Sequence, residues 1–91
     1  MTEYFEGVVT LVSASGTGQN SGMLLLQVEN DDGPMNFIAG LGLTPQAIAA
    51  QTVIATLSHL FRAKVKVTYE PKGEGPGTIK MIDLNFISSN N

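Results

Sequence analysis

The chain has no cysteine and no tryptophan, and it carries a single histidine. Without Cys there are no disulfides and no thiolate metal cages. One imidazole, with carboxylates that do not recur at ligand spacing, leaves no metal site and no cofactor to expect. Covalent catalysis lacks its most reactive nucleophile, and no Ser has a motif around it. His59 has no acidic neighbour in sequence. A lone His on a helix is ordinarily a packing or solvent residue. No catalytic residue is assigned, and the chain reads as a non-enzyme.

Charge is scarce as well. Only 14% of residues are charged, against an average of about 25%. Eight carboxylates outweigh five Lys and Arg, for a net charge of -3. That balance makes nucleic acid a less expected partner, because nucleic-acid binding usually leaves a basic footprint. No apolar run is long enough for a membrane span. The start of the chain holds Glu3 and Glu6 and lacks a basic segment, so no signal peptide is expected. Together with the missing Cys, this favours a cytoplasmic location.

What is present is apolar, at 43% of 91 residues. One domain, 1–91, is expected, with a core at about 4–87 and a disordered tail at 88–91. So short a chain buries only roughly 60–65% of its unfolded surface. Oligomerisation is the remaining common source of added stability.

Tyr4 to Ala14 reads as a strand with apolar groups on both faces. Ser15 to Gly22 is a loop. Its glycines lack the Gly-Lys-Ser/Thr ending of a phosphate loop, and a strand follows rather than a helix. In that strand Leu24, Leu26 and Val28 share one face, and Met23, Leu25, Gln27 and Glu29 the other. Asn30 to Pro34 is a turn with Asp-Gly at its centre. Met35 to Ala39 is a third strand. After the helix, Val65, Val67 and Tyr69 alternate with Lys64, Lys66 and Thr68. Pro71 to Gly77 is a loop. In the last strand Ile79 and Met81 have one parity, and Ile82, Leu84 and Phe86 the other. That mismatch predicts a β-bulge or a strand covered on both faces.

The helix is expected at about 44–62, with Thr44 as N-cap and Pro45 in the first turn. No Asp, Glu, Lys or Arg lies between Asp32 and Arg62. The apolar arc, Ala47, Ala50, Val53, Ile54, Leu57, Leu60 and Phe61, is expected to seal the core. The opposite arc is small and uncharged. A solvated helix face of this length usually carries Lys and Glu. Ile48, Gln51, Thr52, Ala55, Thr56 and His59 are therefore the expected oligomer interface.

The order β-β-β-α-β-β places the chain among all-β folds with one helix, as a five-stranded OB-fold β-barrel. The succession "EGVVTLV", loop, "MLLLQVEND", turn, "NFIAG", helix, "AKVKVTYE", glycine-rich loop, "TIKMIDLNF" resembles the B subunits of AB5 bacterial toxins, the Shiga type most closely. The resemblance is one of topology and spacing over about Glu6 to Phe86. It implies a homopentameric ring with helices lining a central pore, shallow glycan-binding surfaces built by loops, an A-type partner subunit and secretion.

Carried onto this sequence, the implied glycan-binding positions are Thr17, Gln19, Asn20 and Ser21 in the first loop. Phe37 on the third strand and Gly73, Glu74, Gly75 and Gly77 in the glycine loop complete them. Gln and Asn offer paired donors and acceptors to hydroxyls, and Gly lets a ligand approach the backbone. A plain hairpin tip has the same composition. The alternatives are an OB-fold protein binding single-stranded nucleic acid, through Arg62, Lys64, Lys66 and Lys80 with Tyr4, Phe5 or Tyr69 nearby, and a ring-forming scaffold with no small ligand.

Overall fold

The computed structural model describes residues 2–14, 23–39, 43–70 and 79–87. The elements are β1 (Glu3–Ala14), β2 (Leu24–Asn30), β3 (Gly33–Ala39), α1 (Pro45–Phe61), β4 (Lys64–Glu70) and β5 (Ile79–Phe86). The strands close into a barrel in the order β1-β2-β3-β5-β4. The expected five-stranded OB-like barrel with one helix is therefore the fold. The tail at 88–91 lies outside the described residues.

The long first strand does two jobs. Its residues 3–8 pair with β4 and its residues 8–14 pair with β2, both antiparallel. The crossover falls at Gly7 and Val8. A Cβ on Gly7 would lie 2.4 Å from the carbonyl oxygen of Glu29. Only glycine lets the two strands approach so closely there. Closure comes from a short parallel contact between β3 and β5, Phe37 with Ile79 and Ile38 with Lys80.

The inward-facing residues follow the alternation of the sequence. Leu24, Leu26 and Val28 of β2 meet Val65, Val67 and Tyr69 of β4, with Phe37, Met81 and Leu84 between them. Phe37 is the centre of an aromatic stack. Its ring centroid is 5.9 Å from Phe5 and 5.4 Å from Tyr69, both tilted. The parity break in the last strand is a bulge. Thr68 pairs with Asp83 and Tyr69 with Met81, so Ile82 is the extra residue. A second bulge in β1 leaves Thr10 unpaired between Val9 and Leu11.

The helix begins and ends as its sequence dictates. Thr44 Oγ1 accepts from the Ala47 N–H at 3.1 Å, and Pro45 opens the first turn. Arg62 ends it in the left-handed region at φ 55°, its N–H donating to the Ser58 carbonyl.

Its orientation corrects the sequence expectation. The residues packed on the barrel are Ile48, Gln51, Ala55 and Ser58, and Ala55 is 0% exposed. The arc expected to seal the core points outward. Val53, Leu57, Leu60 and Phe61 are 57%, 40%, 67% and 75% exposed. Of that arc, Ile54 alone packs at the edge of the core.

The two bulges supply the physical reason. Each leaves a strand carbonyl that needs a donor from outside the ladder. Gln51 Nε2 donates to the Ile82 carbonyl at 3.1 Å, and His59 Nδ1 lies 3.0 Å from the Val9 carbonyl. That second contact requires the proton on Nδ1. Both donors project from the face that carries Ala55, whose small side chain lets the helix come close. Ser58 bonds within the helix, to the Ile54 carbonyl at 2.6 Å, and needs nothing from the barrel. The polar face therefore meets the barrel, with Gln51 Oε1 buried and without a hydrogen-bond partner among the described residues, and the larger apolar residues are turned out.

Candidate functional site

The outward stripe is the largest cluster of exposed apolar side chains on the helix. Val53, Leu57 and Phe61 follow each other at four-residue steps, and Leu60 lies three beyond Leu57. This spacing puts them on one side of the helix. Together they expose on the order of 400 Å² of apolar surface, within the roughly 300–600 Å² of the largest patch on a typical monomer, which is often functional. Burying the exposed fractions would contribute roughly 5 kcal/mol per copy at ~2 kcal/mol for a whole side chain. The surrounding helix positions, Gln46, Ala49, Ala50 and Thr56, are exposed and uncharged.

The residues expected to form this interface are redistributed. Ile48, Gln51 and Ala55 lie inside the protomer, where another chain cannot reach them. Thr52 is half-buried and its hydroxyl donates back to the Ile48 carbonyl at 2.8 Å. His59 is tied to β1. Thr56 alone of that group is exposed without a hydrogen-bond role among the described residues. The exposed apolar residues that sequence reasoning missed are Val53, Leu57, Leu60 and Phe61, which it had assigned to the core.

The glycan positions fare differently. Thr17, Gln19, Asn20, Ser21, Gly73, Glu74, Gly75 and Gly77 lie outside the described residues. Phe37 is corrected: at 2% exposure it belongs to the aromatic core and has no free face for a sugar.

The basic strip is partly assembled. Lys64 and Lys66 share the outer face of β4, and Lys66 Nζ sits 4.5 Å from the centroid of the Tyr4 ring. Phe5 and Tyr69 turn inward and are not available for base stacking. The Tyr69 hydroxyl donates to Glu3 Oε1 at 3.2 Å. Burial, then the hydrogen bond to Glu3 and its negative charge, hold the phenol above its ordinary range.

Among the described residues no group of three His, Cys, Asp or Glu stands ready to hold a metal. No helix among them is long and apolar enough to cross a membrane. No family model and no curated protein matches the chain.

Proposed function

We propose that this chain is a non-enzymatic binding protein that assembles with copies of itself through the outward stripe of α1. The observation that carries the reading is the exposure of Val53, Leu57, Leu60 and Phe61 on a helix without a single charged residue. A second copy is the occupant that suits the patch best. The stripe has no charge to match on a dissimilar partner, and an apolar stripe complements itself. Two such patches bury about 800 Å², and the uncharged positions beside them carry the contact toward the ~1,200 Å² of a stable interface. A small barrel with a modest core gains most from such burial.

The ring implied by the resemblance to toxin B subunits fits this use of the helix. In a closed ring of five, each stripe would face its neighbours around the axis, and weak sites on the loops would act together. Carbohydrate is the ligand that the resemblance suggests for those loops. The second reading, single-stranded nucleic acid, rests on the Lys66–Tyr4 pair. Binding that weakens steeply with salt would favour it over sugar.

The Cys-free chain makes a direct test possible. A single Leu60→Cys change should give covalent dimers and higher species with a short bis-maleimide, at concentrations where Asp83→Cys on the outer face of β5 gives monomer. Equal cross-linking of the two variants would sink the proposal.

A further inference from the structure

Val8 lies between two neighbours of opposite charge. It pairs with Lys64 of β4 on one side and with Glu29 of β2 on the other. Cross-strand partners project from the same face of a sheet. Lys64, Val8 and Glu29 therefore form a row across the outside of the barrel. With strands about 4.8 Å apart, the ends of the row are roughly 10 Å apart at Cα.

The row lies in an open cleft of about 510 Å³. Its cationic residues are Lys64 and Arg62, and its anionic residues are Glu29, Asp31 and Glu6. The half-buried Val8 contributes apolar surface between them. The framework is held by an uncharged residue. Asn30 Nδ2 donates to the Glu6 carbonyl at 2.9 Å, and Asn30 Oδ1 accepts from the Asp32 N–H at 2.7 Å. Glu29, Asp31, Arg62 and Lys64 remain exposed. Arg62 is fixed to the end of α1 by its cap, in a backbone conformation where glycine is usual.

We propose that this cleft binds a zwitterion of dipeptide size. Its ammonium group is held by Glu29 and Asp31, and its carboxylate by Arg62 and Lys64. Opposite charges on the strands flanking one apolar residue leave a ligand with a single charge only half satisfied. A free amino acid, with its charges on one carbon, meets one side at a time. A dipeptide separates its termini by about two residues at ~3.3–3.6 Å each, roughly 7 Å, which leaves room for the ends of a row about 10 Å wide to reach a terminus from each side. The volume lies within the range of roughly 300–1,000 Å³ usual for small-ligand sites. The cleft is built by one chain and does not depend on assembly.

Nuclear magnetic resonance titration with dialanine tests this. The expected result is saturable movement of the Glu29, Asp31, Arg62 and Lys64 amide signals. N-acetyl-dialanine, which lacks the ammonium, and dialanine amide, which lacks the carboxylate, should bind at least tenfold more weakly. Asp31→Asn and Arg62→Asn should each weaken dialanine binding about tenfold with the far-UV spectrum unchanged, since Asn tolerates the left-handed backbone at position 62. If either variant fails to fold, the wild-type titrations decide alone. Absence of saturation, or capped forms that bind as tightly as dialanine, would overturn the proposal.

Discussion

Ala55 and Leu60 lie on opposite sides of one helix, and a glutamate at each should have opposite consequences. Ala55 is 0% exposed against the barrel, while Leu60 is 67% exposed. A carboxylate forced into the Ala55 site has no partner charge and must displace close-packed atoms. Unpaired buried charge and overpacking together cost more than about 4 kcal/mol. A domain of 91 residues holds roughly 5–14 kcal/mol in all, at ~0.05–0.15 kcal/mol per residue. Ala55→Glu should therefore be largely unfolded or close to it. Leu60→Glu gives up only the buried third of a leucine, about 0.7 kcal/mol, and the two residues have similar helix propensity. Urea unfolding followed by circular dichroism separates the two cases. It should be run at low protein concentration, so that association does not add to stability. An Ala55→Glu protein within about 0.5 kcal/mol of wild type, beside a Leu60→Glu protein that loses more than ~2 kcal/mol, would refute the orientation of the helix.

Gly7→Ala places a methyl group against the Glu29 carbonyl and should cost about 2–4 kcal/mol in urea unfolding, since backbone must move. Gln51→Ala strips the Ile82 carbonyl of its donor, and a loss of about 1–3 kcal/mol is expected from the same assay. Phe37→Ala removes the middle ring of the core stack, for about 3–5 kcal/mol. The raised pKa of Tyr69 favours folding fully below pH ~10, where the unfolded phenol is still protonated. As pH climbs from there through the folded value, the unfolded state loses its proton first and that stability is lost. Tyr69→Phe should flatten this alkaline decline, measured as the unfolding midpoint between pH 9 and pH 11.

The barrel was legible because its signals are local and agree with one another. Alternation in residues 24–28 and 65–69, the Asp-Gly turn and the Thr44-Pro45 start each specify one element. Even the bulge at Ile82 showed, as a switch of parity within one strand. The facing of the helix was not legible. Hydrophobic periodicity ranks a helix face by transfer energy alone, and by that measure Val53, Leu57, Leu60 and Phe61 belong inside. The polar groups that face the helix are backbone carbonyls of Ile82 and Val9, on strands 31 and 50 residues away in sequence from Gln51 and His59. Nothing in the helix sequence announces them. The charge-free character of Thr44 to Phe61 was plain in the sequence, but it did not tell which apolar residues the helix turns outward. Phe37 was misplaced for a different reason. Its glycan role was carried over from the resemblance to toxin subunits, and the packing of its ring between Phe5 and Tyr69 is a tertiary fact that topology and spacing do not carry.

The most direct test of the account is the absolute mass of the wild-type chain in solution, by light scattering behind a sizing column. Self-assembly through the helix stripe predicts a mass of several 9.6 kDa chains, five for the closed ring, falling to one chain in a Leu57→Glu, Phe61→Glu variant that stays folded. A wild-type protein that elutes as a single chain at every concentration up to about 100 μM, an association weaker than about -5.5 kcal/mol, would contradict it.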